Sequence, residues 1–200
     1  MTRTKPSEQG MTLAELLVVL TVLALLLTAT VPLVLRASSS LRVRLAAAEV
    51  ATALYLARSE AVRLGHHVGL RFDRDADGRI TFTLFADGDG DGLSSRDVRA
   101  GRDVAVSPPR RLGHLGRAVR FGFPQAPPAR DPSGRRLDRH EDPVRFNRSD
   151  LASFSPLGTS TPGSVYLTDG RRALVAVRLL GTTGRVRVTE WDPEVGTWRR

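Results

Sequence analysis

The stretch from Gly10 to Leu35 constrains the fold of this chain more than any other part of the sequence. It contains a glycine, one acidic residue and then an uninterrupted apolar run. Residues Leu16 to Leu35 carry no charged side chain. Twenty residues of helix at about 1.5 Å per residue cover about 30 Å, the thickness of the hydrocarbon core of a bilayer. The run therefore predicts a helix that spans a membrane.

The residues that flank the run predict its orientation. Arg3 and Lys5 precede it, and basic residues favour the cytoplasmic side, so we expect the rest of the chain to lie across the membrane. A cleaved secretory signal is the alternative, but its apolar region is shorter and ends in small residues suited to cleavage. Here the small residues Thr28 to Thr30 lack the pair of alanines that such a site requires, and Pro32 follows two residues later. Cleavage near Ala29 is therefore the weaker interpretation.

One acidic side chain, Glu15, stands at the start of the apolar run. A carboxylate at the edge of a lipid-facing helix is unfavourable unless it finds a partner or lies close to the headgroups. Two interpretations stay open from the residues alone, an acid placed in the interface and an acid paired with a cation. In a filament of packed apolar helices, the N-terminal ammonium of a neighbouring subunit would be a suitable partner. Such a pair would also set the axial register of the subunits.

These residues together resemble the type IV pilin and type II secretion pseudopilin superfamily. Its members carry a short basic leader that ends in glycine and is removed by a prepilin peptidase, and the new first residue is then N-methylated. The resemblance implies a leader of residues 1–10 ending at Gly10, and a mature chain that starts at a methylated Met11. Glu15 then falls fifth, the position of the family's acid, and Pro32 falls twenty-second, where relatives commonly have a helix-kinking proline.

The helical pattern continues beyond the apolar run. Apolar residues recur at roughly helical spacing as far as Leu64, and Gly65 provides a stop. The pattern predicts one long helix from Met11 to Leu64 with a bend at Pro32. Its first half, residues 11–35, is the expected transmembrane and assembly helix, and its second half, residues 36–64, is amphipathic.

After Gly65 the apolar period changes to two, which predicts short strands. The expected strands cover residues 68–72, 80–84, 119–123, 164–167, 173–180 and 185–189, with a hairpin loop at Asp73 to Gly78. The predicted fold class is α+β and pilin-like, with the long helix packed on an antiparallel β-sheet head domain over residues 65–200. Residues 124–143 are rich in proline, arginine and aspartate and are expected to form a surface loop.

Three segments narrow the resemblance to the GspH/FimT branch of minor pseudopilins. They are ALYLARSEAVRLGHHVGLRF at residues 53–72, FSPLGTSTPGSVYL at residues 154–167 and GTTGRVRV at residues 181–188. The resemblance covers residues 10–85 and 154–189 and leaves the middle of the chain unmatched.

Composition limits the chemistry of the head domain. The chain has no cysteine, which excludes disulfides, thiolate metal sites and thiol catalysis. No histidine or serine falls in the pattern of a nucleophile with its base, so we expect a protein that is not an enzyme. The formal net charge of +9 is carried almost wholly by arginine. Such a charge attracts anionic lipid, polysaccharide or nucleic acid, although arginine enrichment is also a common result of genome composition.

An acidic segment at residues 87–92 opens like a calcium loop. Asp87, Asp89 and Asp91 are spaced by two residues and Gly92 stands sixth, as in the first half of an EF-hand loop. The twelfth position is a valine, and the nearest acid is Asp97. Calcium bound by these four aspartates is therefore one interpretation, and ordinary turns rich in aspartate and glycine are the other. Residues 73–78 repeat the same opening and leave the same two interpretations.

A basic element near the C-terminus raises the question of DNA. Arg185 and Arg187 alternate with valines in a predicted strand, so both point to one face and could contact successive phosphates. The segment GRVR resembles the DNA-contacting element of FimT-type minor pilins, which take part in DNA uptake. The alternative is that Val186 and Val188 face the core and the arginines face water.

The resemblance implies a function by association. We expect a minor pseudopilin or minor pilin, held in the inner membrane of a bacterium with its head domain in the periplasm. It would be incorporated into a type II secretion pseudopilus or type IV pilus, where it helps to initiate or cap the filament. Its expected partners are the prepilin peptidase and other pseudopilins or pilins. A DNA-binding minor pilin and, more weakly, a membrane-tethered enzyme are the alternatives.

Overall fold

A computed structural model describes residues 12–112, 119–128 and 130–199, with the side chains at 29 and 31–37 left out. Helix α1 extends from Leu13 to Leu64. It ends at Gly65, whose φ of 70° lies in the left-handed region and whose amide donates to the carbonyl of Ala61. The side chain of Pro32 lies outside the described residues, so the bend expected there stays a prediction. The chain divides into two compact units, Met1–Ser38 and Ser39–Arg200.

The predicted membrane span lies within the first half of α1. Across the described residues, no stretch of helix combines the length and the apolar character that crossing a membrane requires.

The second half of α1 buries one face in the head domain. Small and branched apolar residues recur there every three or four positions and are almost inaccessible to solvent. They are Val43, Ala46, Ala47, Val50, Ala51, Ala53, Leu54, Ala57 and Ala61. Because six of these nine are alanines, the helix axis can approach the sheets closely.

Two antiparallel sheets follow the helix. The first contains β1 (Val68–Arg74), β2 (Ile80–Ala86), β3 (Val104–Ala105), β4 (Arg110–Arg111) and β7 (Leu151–Phe154). Its order is β3-β2-β1-β7, and β4 also pairs with β2. The second contains β5 (Arg120–Phe121), β6 (Val144–Phe146), β8 (Gly163–Thr168), β9 (Leu174–Leu180), β10 (Arg185–Asp192) and β11 (Thr197–Arg199). Its order is β11-β10-β9-β8-β5, with β6 also paired to β8, and a short helix α2 (Ser95–Ala100) precedes β3.

The long helix followed by antiparallel sheets confirms the predicted α+β, pilin-like fold class. Each of the six predicted ranges contains a strand, although the range 119–123 contains only the two residues of β5. The predicted hairpin joins β1 to β2, but Asp73 and Arg74 are paired in β1, so the turn itself begins after Arg74. Helix α2 and the short strands β3, β4, β6, β7 and β11 were not predicted. They have two to six residues each, too few for a periodic apolar pattern to develop.

One core joins the helix to both sheets. Phe72 on β1 lies at its centre, with its ring 6.1 Å from the ring of Phe82 and stacked at 5.8 Å on the ring of Phe146 in the other sheet. A smaller cluster lies on the outer face of the second sheet, around Tyr166 and Leu174. The alternation of side chains along the strands therefore divides the apolar residues between two layers.

The stretch at 124–143 is folded back on the second sheet by Asp131. The buried carboxylate of Asp131 accepts hydrogen bonds from the amides of Ser133 and Arg135, at 2.7 and 2.9 Å. The hydroxyl of Tyr166 donates to the same carboxylate at 3.4 Å. Burial acts to raise the pKa of Asp131, but hydrogen bonds from the Ser133 hydroxyl and the Ser133 and Arg135 amides, together with the charge of Arg135, outweigh it and hold the pKa below its ordinary value.

Candidate assembly surface and charged clusters

The first half of α1 presents its apolar side chains to the outside on every face. Exposed fractions run from 47% at Leu16 to 78% at Leu13. The exposed residues are Leu13, Leu16, Leu17, Val18, Val19, Leu20, Val22, Leu23, Leu25, Leu26 and Leu27. Isolated soluble proteins rarely expose a continuous apolar surface of this extent. The apolar side chains between Leu13 and Leu27 therefore require lipid or other apolar partners to cover them.

Glu15 is tied to the start of the helix by a capping box. The Glu15 carboxylate accepts hydrogen bonds from the amide and the hydroxyl of Thr12, at 2.9 and 3.0 Å. In return the Thr12 hydroxyl accepts from the Glu15 amide at 3.3 Å. Thr12 is absent from the sequence-based predictions, although the pattern Thr-x-x-Glu before an apolar run would have identified it. Gly10 and Met11, the predicted cleavage and methylation residues, lie outside the described residues.

The second half of α1 also has an exposed apolar stripe, opposite its buried face. Leu41, Leu45, Leu56 and Val62 are each about half exposed. Tyr55 belongs to the same stripe, and its hydroxyl donates to the carbonyl of Val186 on β10 at 3.2 Å. The part of the helix that packs on the head thus has an exposed apolar stripe of its own.

Comparison with known families agrees with this architecture. The profile of the prokaryotic N-terminal methylation motif matches residues 5–31. The profile of the family described as type II transport protein GspH matches residues 46–188, which is most of the chain. The chain belongs to the GspH family. The match includes the middle stretch, residues 86–153, that the resemblance from the sequence alone left unmatched.

Membership of the GspH family makes this chain a pseudopilin of the type II secretion and type IV pilin class. The N-terminal methylation motif implies processing by a prepilin peptidase and assembly with other pseudopilins. No curated protein and no solved structure matches the chain.

The acidic loop brings three of its four predicted calcium ligands together. Carboxylate oxygens of Asp87, Asp89 and Asp91 lie within 4.8 Å of one another. Asp87 is buried and accepts hydrogen bonds from the amides of Gly90 and Gly92, at 2.8 and 3.0 Å. The neighbouring Asp89 carboxylate raises the pKa of Asp91, first through a hydrogen bond between the two side chains and then through the repulsion of like charges. The arrangement serves as a turn and also concentrates negative charge.

Asp97, the fourth predicted calcium ligand, is not part of this group of three, and Arg102 bridges it to Asp89 through a 3.3 Å contact with the Asp89 carboxylate. Asp97 lies in the first turn of α2, where its amide donates to the hydroxyl of the N-cap residue Ser94. Its carboxylate accepts from that hydroxyl and pairs with the Arg102 guanidinium. Hydrogen bonds from Ser94 and then from Arg102 lower the pKa of Asp97. Local capping and an ion pair therefore engage Asp97 outside the group of three aspartates.

The repeated acidic opening at 73–78 forms the β1–β2 turn. Asp75 accepts hydrogen bonds from the amides of Asp77 and Arg79, both at 2.9 Å. Its carboxylate also pairs with Arg111 at 2.9 Å. Gly78 has a φ of 72°, which glycine adopts without strain.

Arg185 and Arg187 lie on β10, as predicted, with Arg185 exposed and Arg187 half-buried. Val186 between them is buried in the main core, whereas Val188 is 39% exposed. Pairing with β9 places Arg178 directly opposite Arg187, so both arginines point to the outer face of the second sheet. From the sequence, Arg178 is one of several arginines expected near this element, and strand pairing places it directly opposite Arg187.

Proposed function

We propose that this GspH-family chain is a minor pseudopilin that helps to initiate or cap a type II secretion pseudopilus or type IV pilus. It is cleaved after Gly10, methylated on Met11 and held in the inner membrane by residues 11–35, with its head domain in the periplasm. It works by association with other pseudopilins rather than by catalysis. The observation that carries this proposal is the apolar surface of α1 between Leu13 and Leu27, whose large side chains are 47–78% exposed.

Packing energetics explain why that surface requires partners. Burial of apolar surface contributes about 25 cal/mol per Å², so a helix exposed on all faces is strongly favoured to enter lipid or a helical bundle. The stripe that includes Leu41, Leu45 and Leu56 offers a second apolar surface, on the half of the helix that packs on the head. We infer that lipid surrounds the first half before assembly and that helices of neighbouring subunits replace the lipid in the filament.

We assign Glu15 two successive roles in this process. In the isolated subunit, its carboxylate closes the capping box with Thr12. In the filament, the same carboxylate pairs with the methylated N-terminal ammonium of a neighbour. Charge pairing in an apolar environment penalises every register that leaves the carboxylate unpaired.

Processing is tested by the intact mass of the chain expressed with and without a prepilin peptidase, with Gly10→Ala as the control. We expect loss of residues 1–10 and gain of one methyl group only when the peptidase is present and Gly10 is intact. An uncleaved chain, or one cut near Ala29, would overturn the proposal.

The role of Glu15 is tested with a matched pair of variants. Glu15→Gln keeps the capping hydrogen bonds, because glutamine also closes a capping box, but removes the charge. Thr12→Val removes the capping hydroxyl and keeps the charge. We expect Glu15→Gln to block cross-linking into filaments and Thr12→Val to assemble. Equal assembly by both variants would refute the ammonium pairing.

DNA binding by Arg185 and Arg187 is a second candidate function. The observation in its favour is Arg178, which adds a third arginine to the same face of the sheet. Phosphate contacts would make the affinity fall steeply with salt. A gel shift with the wild type and the Arg185→Gln/Arg187→Gln double variant, titrated with salt, decides this candidate. Absence of a shift at low salt would remove it.

A further inference from the structure

A row of side chains crosses four strands on the outer face of the second sheet. Residues directly opposite each other in neighbouring strands point to the same face. Arg187 on β10 is opposite Arg178 on β9, Arg178 is opposite Ser164 on β8, and Ser164 is opposite Arg145 on β6. At about 4.8 Å between strands, the row covers about 14 Å. Three guanidinium groups and one hydroxyl therefore share one line.

The two arginines at the β9–β10 end of the row are unfavourably placed as they stand. Arg178 and Arg187 are both half-buried, and like charges directly opposite one another in a sheet are destabilising. Within the part of the chain that the structure describes, neither guanidinium forms an ion pair with a carboxylate. Water would screen the repulsion between two fully solvated guanidinium groups. Arg178 and Arg187 are partly buried, so part of that screening is lost.

A cavity of about 330 Å³ opens beside Arg178, Ser164 and Arg145. The turn at 131–135 closes its far side and contributes Arg135 and Asp131 to the lining. Asp131 is already occupied by hydrogen bonds from Ser133 and the Arg135 amide and by Tyr166. The acid in the wall is therefore not available to neutralise Arg178.

Charges around the cavity do not balance. Arg135, Arg145 and Arg178 line the cavity, and Arg187 lies opposite Arg178 on the next strand. Among the described residues, the carboxylates that pair with these arginines are Asp131 and Glu141. Glu141 divides its contacts between Arg135 at 2.9 Å and Arg145 at 3.5 Å. The three lining arginines exceed these two carboxylates by one positive charge, and Arg187 adds a second positive charge beside Arg178.

We propose that this cavity binds a phosphate group, with Arg178 and Arg145 as its cationic donors and the Ser164 hydroxyl as a third donor. The planar fork of arginine matches pairs of phosphate oxygens, and charge-assisted hydrogen bonds are the strong ones. Arg187 adds to the attractive field from the next strand. The phosphate comes either from the solution or from the headgroup of a phospholipid, and the inference is independent of filament assembly.

The test measures thermal unfolding of the full-length protein in non-ionic detergent micelles. Inorganic phosphate and glycerol 1-phosphate are titrated separately against sodium chloride at matched ionic strength. A ligand that binds the folded state alone raises the melting temperature along a saturating curve. Arg178→Gln is compared with Arg99→Gln, which removes the same charge from an exposed position on α2 that does not line the cavity.

We expect saturable stabilisation of the wild type and of Arg99→Gln. In Arg178→Gln the dissociation constant should rise by at least about tenfold, the effect of losing a hydrogen bond to a charged group. Without phosphate, Arg178→Gln should melt no earlier than the wild type, because it relieves the repulsion by Arg187. A stronger response to glycerol 1-phosphate identifies a headgroup, and equal responses identify free phosphate.

A response that does not saturate, or one of equal size in all three proteins, would mean that phosphate only screens charge and would overturn the proposal. If Arg178→Gln does not fold, Ser164→Ala replaces it in the same titration. This variant keeps every charge and removes only the third donor. We expect weaker phosphate binding in Ser164→Ala, and unchanged binding would count against the site.

Discussion

Leu54 and Leu56 are two residues apart on α1, and we expect replacement by alanine to destabilise the head domain strongly at Leu54 and very little at Leu56. Leu54 is fully buried in the core between the helix and the sheets, whereas Leu56 is 48% exposed on the opposite stripe. Leu54→Ala removes three buried carbon groups, which are worth about 0.8 kcal/mol each, or about 2.4 kcal/mol in all. The cavity left behind raises the expected loss of unfolding free energy to about 3–4 kcal/mol.

The assay is guanidinium unfolding of the full-length protein in detergent micelles, followed by tryptophan fluorescence. Trp191 and Trp198 are the only tryptophans of the chain, and both lie on the second sheet with their rings 5.5 Å apart. Their fluorescence therefore reports the unfolding of the head. With a slope of about 4 kcal/mol per M, Leu54→Ala should lower the midpoint by about 0.8–1 M.

Leu56→Ala is the matched control for stability. An exposed helical leucine contributes little to folding, so its midpoint should change by about 0.1 M or less. The same variant should reduce cross-linking between subunits, because it removes part of the exposed stripe. Equal midpoint shifts in Leu54→Ala and Leu56→Ala would refute the assignment of the buried and exposed faces of α1.

Two further predictions concern the second sheet. Gly163→Ala should lower the unfolding free energy by about 1–3 kcal/mol, because the new Cβ would lie 2.3 Å from the backbone carbonyl oxygen of Arg145 on β6. If the variant melts at the same temperature as the wild type, β6 and β8 do not approach so closely. Asp131→Asn should destabilise the head at neutral pH and matter progressively less as the pH falls from about 5 to about 2, because a carboxyl with a lowered folded-state pKa stabilises only while ionised. A stability difference between wild type and Asp131→Asn that stays constant across this pH range would contradict the assignment.

The sequence was sufficient wherever a local pattern carried the information. Helical spacing followed by alternation predicted α1 and the longer strands, because the period of apolar residues reflects which side of an element is buried. Glycine at 10, acid at 15 and proline at 32 carry the resemblance to the pilin superfamily, and the methylation-motif match over residues 5–31 agrees with it. The hairpin at Asp73 to Gly78 was predictable because turn chemistry is also local.

Only the tertiary structure showed the features that depend on contacts between segments far apart in the sequence. Asp97 resembled a calcium ligand from its spacing, yet its contacts with Ser94 and Arg102 place it at the start of α2. The row of Arg187, Arg178, Ser164 and Arg145 joins residues from four strands, and no periodicity within one strand reveals its neighbours. The register between strands depends on the packing of the whole core, so the sequence could not show which charged side chains lie next to one another. The sequence alone was sufficient for the class of this protein, and only the fold showed where its charges lie.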